Sequence, residues 1–339
     1  MAFTLWSWGA NSHGQLGLDE ISEQVNVPTK ITRDFWCKTK QVACGGGHTL
    51  LLDDDGKLFA CGWNVKKQLG LEDEVCCFQR VWSLSGINFI NISCGWDFSC
   101  GVTDDKHLFV WGSNSHGQLG LPKEHFSEAV KPVRLQVNAC SISMGLRHTA
   151  IINSKGEIWA TGSGKYGQLG LGPNILISDR FQKVPVKSKL THLVCGQNHT
   201  LPEKIDIDVK QNVKKLLSGW TNVLLWLEDG QLLAWGRNNY GQLGTDKPFE
   251  GQIIHINLPD KRQVKDIALG SEHTICLATD NTLWAWGWNE HANTGTMSGE
   301  FVFFPTLIPL QNRPHTKITQ IYAGGMSIKT RPVLVNILI

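Results

Sequence analysis

Short apolar runs recur along this chain, divided by a tight polar turn and closed by glycine. In "HTLLLDDDGKLFACGWN" two runs flank Asp55-Gly56; "HTAIINSKGEIWATGSG" repeats the layout around Lys155-Gly156, and "NVLLWLEDGQLLAWGRN" around Asp229-Gly230. Apolar runs of strand length on either side of an X-Gly turn predict β-hairpins. Beyond each hairpin come a loop, a run near a proline ("VPTKI", "KPVRL") and a run ending in Gly ("TKQVACGG", "SISMGL"). The pattern predicts about four strands in each stretch of about 50 residues, with almost no helical periodicity.

The hairpins end on near-copies of one phrase: "WGANSHGQLG" at 8, "CGWNVKKQLG" at 61, "WGSNSHGQLG" at 111, "TGSGKYGQLG" at 161, "WGRNNYGQLG" at 235 and "WGWNEHANTG" at 286. A second motif keeps step: "GGGHT" (His48), "GWDFS" (Phe98), "GLRHT" (His148), "GQNHT" (His199), "GWTNV" (Asn222), "GSEHT" (His273) and "GGMSI" near the tail. Five of these corners stand 13 residues before the next phrase. Four-stranded units at this period are β-propeller blades, which protect their edges by radial repetition. A β-helix uses much shorter coils, and a sandwich has no reason to repeat.

One interval is wrong. The phrase starts are spaced 53, 50, 50, 74 and 51 residues apart, and His199 lies only 23 residues before Asn222. About 28 residues, an Asp-Gly hairpin with its phrase, are missing from the repeat around 200–222. Seven corners against six phrases predict an all-β propeller on a seven-unit template with one blade lacking a hairpin, six-bladed closure being the alternative. The whole of 1–339 reads as a single domain with a divergent tail over 326–339. A skipped exon, a faulty gene model or a genuinely reduced blade would each produce such a loss.

Residue types within the phrase fit its tight loop. Gly9, Gly112 and Gly236 follow a strand-end tryptophan where the chain must turn, and Gly14 and Gly17 supply positive φ. Asn11, Asn114 and Asn238 tolerate left-handed geometry and cap turns, while Gln15 and Gln118 suit loop backbone groups. The leucines at 16, 69, 119, 169 and 243 would pack between blades. His48, His148, His199 and His273 lie in different repeats without a ligand set at metal spacing, so inter-strand hydrogen bonding is the favoured role and no metal or cofactor is expected.

Bulk properties narrow the picture. Net charge is +2 and charged residues make up 18% of the chain, so no global field favours nucleic acid. Lys210, Lys214 and Lys215, and Lys261, Arg262 and Lys265, form the nearest basic clusters and read as solvated faces. No apolar run approaches the ~20 residues of a membrane helix, and "MAFTLWSWGAN" lacks the features of a secretory leader. Ten cysteines suggest free thiols. Cys44, Cys94 and Cys195 repeat one position, which favours buried packing over pairing. No nucleophile, acid–base or phosphate-loop constellation occurs, so an enzyme is not expected.

The pairing of W-G-x-N-x-x-G-Q-L-G with G-x-x-H-[ST] at this period resembles the regulator of chromosome condensation repeat family over residues 4 to about 325. That resemblance implies a seven-bladed propeller and binding of a small GTPase, with GDP release needing no covalent chemistry. The order of the finer motifs, "SCGWDFS" and "SGWTNV…WGRNNYGQLG" then "WGWNEH", is similar to an exchange-factor branch tied to secretion. It implies a cytoplasmic and nuclear monomer with a small GTPase, and an exocyst or other secretory-machinery protein, as partners. The ultraviolet photoreceptor branch would need clustered G-W-R-H-T corners, which are absent.

Corner positions that match the family's partner-facing pattern are Asp97, Arg147, Asn198 and Glu272, with Trp96 and Trp220 beside equivalent sites. Ordinary loop capping and core packing are the plainer roles for the same residues. The family's founding member also uses a hairpin wedge. Here 28 to 32 residues separate each phrase's last glycine position from the next corner, which leaves no room for one. A scaffold without exchange activity, or a defective isoform, is therefore the competing expectation.

Overall fold

The computed structural model describes residues 4–31, 38–186, 192–202, 212–248, 251–310, 317–324 and 334–338. The reduced stretch at 203–211 and most of the divergent tail lie outside them. Two compact units emerge, 37–206 and 1–36 with 207–339.

Unit 37–206 holds three four-stranded antiparallel meanders. Blade 1 is Thr39–Cys44, His48–Asp53, Leu58–Gly62 and Val75–Arg80; blade 2 is Phe89–Cys94, Phe98–Thr103, His107–Ser113 and Glu128–Asn138; blade 3 is Ser141–Met144, His148–Ile152, Ile158–Ser163 and Ile177–Lys183. A two-stranded sheet follows, Leu193–Cys195 paired with Thr200–Pro202. It stands where the repeat spacing places the lost hairpin.

The other unit holds blade 4 (Val213–Ser218, Asn222–Leu227, Leu232–Gly236, Ile254–Ile256) and blade 5 (Val264–Leu269, His273–Ala278, Leu283–Trp288, Phe301–Leu307). Its remaining four-stranded sheet is assembled from both ends of the chain, in the order Gln24–Lys30, Leu5–Ala10, Leu334–Leu338, Gln320–Ala323. The tail thus supplies a strand where no Asp-Gly hairpin signal exists. Among the described residues, helical structure is confined to two short 3-10 segments, Trp82–Leu84 and Pro259–Lys261.

The second strand of every complete blade is buried on both faces: His48–Asp53, Phe98–Thr103 and His273–Ala278 have no exposed position. Such strands read as continuous apolar runs, which is why alternation is weak in "HTLLLD" and "HTICLA". Core clusters fall between consecutive blades. Leu69 packs with Phe89, Ile92 and Trp111 of the next blade; Leu119 packs with Ile142 and Ile151; Leu243 packs with Ile267, Cys276 and Trp286. Each buried leucine contributes about 1.5–3 kcal/mol.

Candidate functional site

The corners lie at one end of each blade. His48 pairs with Gly62, Phe98 with Gly112, His148 with Gly162, Asn222 with Gly236 and His273 with Gly287, so corner and W-G loop meet. The W-G glycines have φ between 96° and 113°. A Cβ on Gly112 would stand 2.7 Å from Phe98 Cα, and one on Gly287 would stand 2.3 Å from the Glu272 carbonyl oxygen. Only glycine permits both the dihedral and the approach.

The spacing G-x-x-H has a steric cause. The fourth side chain folds back over the first residue, so a Cβ on Gly145 would lie 2.0 Å from His148 Cε1. Two of these rings then reach the next sheet. His48 Nε2 donates to Ser99 Oγ (2.8 Å), which donates to the Gln68 carbonyl (2.7 Å). His148 Nε2 donates to Thr200 Oγ1 (2.9 Å), which donates to the Gln168 carbonyl (2.9 Å). Burial holds His48, His148 and His273 at a pKa of about 3, so all three are neutral. The His273 ring nitrogens have no hydrogen-bond partner among the described residues.

The phrase asparagines are side-chain staples. Asn114 Nδ2 donates to the Leu121 and Phe126 carbonyls (2.9 and 2.7 Å), and its Oδ1 accepts from Leu119 N (3.0 Å). Asn11 and Asn238 do the same in their loops. Their backbones are not left-handed, so the expected αL role is corrected. Positive φ falls to Gly9, Gly14, Gly17 and Gly236. Gln15 Oε1 accepts from His13 N (2.8 Å) and Gln118 Oε1 from His116 N (2.7 Å).

The six corner candidates divide by burial. Arg147 is exposed; Trp96, Asp97, Asn198 and Trp220 are half-buried; Glu272 is 2% exposed. Glu272 links blades 4 and 5. Its carboxylate accepts from Thr221 Oγ1 (2.8 and 3.0 Å) and Gln242 Nε2 (2.6 Å). Burial raises its pKa, opposed by those two donors and Arg237. Asp97 is raised by burial too, with Ser113, Lys66 and Arg147 pulling it back. Asp97 and Arg147 therefore share one electrostatic environment. Leu146 N donates to the Gln197 carbonyl (3.3 Å), which sets the Arg147 corner beside that of Asn198 and His199. Trp96 lies against the preceding corner, where a Cβ on Gly46 would be 2.6 Å from its Cε3. Trp220 N donates to the Ser271 carbonyl (2.6 Å).

Sequence reasoning missed links between first strands of adjacent sheets. Gln41 Nε2 donates to the Ile92 carbonyl (2.9 Å) and its Oε1 accepts from Ile92 N (3.0 Å). Lys215 Nζ donates to Asp266 Oδ1 and the Ile267 carbonyl (2.9 and 2.8 Å), and Lys265 Nζ to the Ile318 carbonyl (2.7 Å). Two lysines read as solvated charge are thus staples; Lys210 lies outside the described residues. The nine described cysteines are free thiols, and burial pushes Cys44 up to about 12 and Cys195 to about 11. Such thiols are poor nucleophiles and ligands.

Four-stranded blades joined by interleaved corners and W-G loops define a β-propeller of the chromosome-condensation-regulator type. The RCC1-like domain model matches residues 4–206, and models of the regulator of chromosome condensation repeat match 229–277 and 264–292. The chain belongs to this family. In particular it is similar to the secretion-regulating guanine nucleotide exchange factor of Mus musculus, 32% identical over 92% of this chain and 80% of that protein. It is 26% identical to the ultraviolet-B receptor UVR8 of Arabidopsis thaliana over 89% of this chain, spanning 53% of the receptor. Among solved structures, Prp20p of Saccharomyces cerevisiae, studied for its binding to Gsp1p and histones, superposes with a TM-score of 0.84 at 18% identity, covering 100% of this chain and 91% of Prp20p.

Proposed function

We propose that this chain is a guanine-nucleotide-exchange-factor-like regulator that binds a small GTPase of the Ras superfamily through the corner end of its blades. The observation that carries this reading is the 32% identity with a secretion-regulating exchange factor across four-fifths of that factor's length. An exchange factor holds the nucleotide-free GTPase more tightly than the loaded one, so by reciprocity it loosens the nucleotide. In unit 37–206 the contacts are exposed Arg147 with half-buried Trp96, Asp97 and Asn198; in the other unit they are half-buried Trp220 and the loops around Glu272. No covalent step is required of the chain, and no cofactor or metal takes part. A role in secretion, with an exocyst or other tethering subunit as second partner, and residence in cytoplasm and nucleus belong to the same proposal. So does a seven-unit propeller whose fourth unit is reduced.

A second reading, a scaffold without exchange activity, draws on one observation. Every described strand pairs within one of the four-stranded sheets or the two-stranded sheet, so no hairpin projects as a wedge among the described residues. Capture on immobilised small GTPases, each nucleotide-free, GDP-loaded or GTP-loaded, separates the two. The exchange-type reading expects retention on a nucleotide-free GTPase and release on adding GDP. Equal retention in all three states assigns a scaffold, and no retention by cooperatively melting chain rejects GTPase binding.

A further inference from the structure

At four junctions inside the two units, the W-G loop of one blade is roofed by the next sheet. A Cβ on Gly117 of blade 2 would lie 2.7 Å from Asp179 Cα of blade 3, and one on Gly241 of blade 4 would lie 2.6 Å from Phe303 Cα of blade 5. At the last glycine position of the phrase an aromatic ring closes the roof. Trp111 covers Gly70, Phe181 covers Gly120, Trp286 covers Gly244 and Trp8 covers Gly295. Trp111 Nε1 also donates to the Gln68 carbonyl at 2.8 Å.

Among the described residues, blade 3 has no such roof. Around Gly167 nothing lies within 4 Å of a Cβ, and beside Gly170 there is only Val184 of its own blade. Tyr166 is 66% exposed, whereas its counterpart Tyr240 stacks on Trp288 and Phe301 of the next blade (centroids 6.0 and 5.5 Å apart). Leu171 and Ile175 are half-buried along the same flank. The neighbouring strand Thr200–Pro202 pairs on one edge only, with Leu193–Cys195, among the described residues. Backbone approach at one glycine, a ring seat at the next, a carbonyl beside it and a strand edge unpaired among the described residues are the complement of a two-stranded ribbon.

We propose that this flank of blade 3 is a docking seat for a β-hairpin supplied by a partner protein, which lays its backbone over Gly167 and an indole over Gly170 beside the Gln168 carbonyl. The occupant's chemistry is set by the complete junctions, where a strand pair with one inward aromatic ring fills the same place. The seat borders the Arg147 and Asn198 corners, since the blade 3 corner meets its own W-G loop, and its occupation does not depend on GTPase binding.

The probe is a fluorophore-labelled synthetic peptide of this chain's own residues 107–135, titrated with the full chain and followed by anisotropy. Saturable binding is expected, weakened about tenfold or more by Trp111→Ala in the peptide, because buried aromatic anchors dominate such contacts. The same loss is expected with the chain variant Tyr166→Asp, whose change falls on an exposed side chain and leaves the thermal melt unchanged. Absence of saturable binding, or binding that ignores both sets of changes, overturns the proposal. So does a chain dimer that Tyr166→Asp dissolves, since a second copy would then own the seat.

Discussion

Two flanks of unit 37–206 carry the same phrase and meet different fates. Between blades 2 and 3, Gly117 and Leu119 are covered, and thirteen buried apolar residues form one cluster with Trp159 and Phe181 packed against it. Between blade 3 and the two-stranded sheet the cluster falls to eight, and Gly167 and Tyr166 are open to solvent. The loops themselves are alike: Gln168 Oε1 accepts from Tyr166 N at 2.8 Å as Gln118 Oε1 does from His116 N at 2.7 Å. The phrase therefore builds its loop from its own residues, while its burial comes from the following hairpin. Losing a hairpin alters the preceding blade's surface more than its fold.

The largest effect that would test this contrast is truncation of the roof. Trp111→Ala, at 0% exposure, should cost about 3–5 kcal/mol, whereas Tyr166→Ala should stay within about 0.5 kcal/mol; urea unfolding of both variants measures the difference. Comparable losses would show that blade 3 is roofed in solution.

Acid comes next. Each buried histidine titrates near pH 3 in the folded chain against about 6.5 when unfolded. Below about pH 6.5 the unfolded chain takes up protons the folded chain refuses, so stability should fall as pH drops. The slope is about 1.4 kcal/mol per pH unit for each histidine. Asp97 and Glu272, raised by burial, act with the opposite sign: their contribution is present below the usual carboxylate range and is lost as pH rises through their folded values. Denaturant midpoints between pH 7 and 4 should therefore decline, and His148→Gln should flatten the decline.

Smaller effects separate structure from recognition. Glu272→Ala leaves Thr221 and Gln242 without their shared acceptor and should cost about 1–3 kcal/mol. Arg147→Ala removes an exposed side chain and should leave the melting temperature unchanged while reducing GTPase capture. A destabilised Arg147→Ala chain, or a Glu272→Ala chain of unchanged melt, would reverse the division between them.

The hairpins were legible because a Gly turn between apolar runs is a local signal, and the lost one because 74 stands out among intervals near 50. Glu272 was not legible. The position before the corner histidine can face solvent, as at Arg147, or the blade junction, and only Thr221 and Gln242, 51 and 30 residues away, decide which. The phrase asparagines misled for a related reason: asparagine suits both αL backbone and side-chain stapling, and here the carbonyls of the following loop select stapling. The strand Leu334–Leu338 carries no turn signal of its own; its place comes from pairing with Leu5–Ala10 at the far end of the chain.

Hydrogen exchange on the full chain, alone and bound to a nucleotide-free GTPase retained in the capture panel, tests the central claim most directly. New protection is expected at residues 95–98, 145–148 and 270–273, with 163–178 unchanged. Protection confined to 163–178, with the corners exchanging as in the free chain, would contradict it.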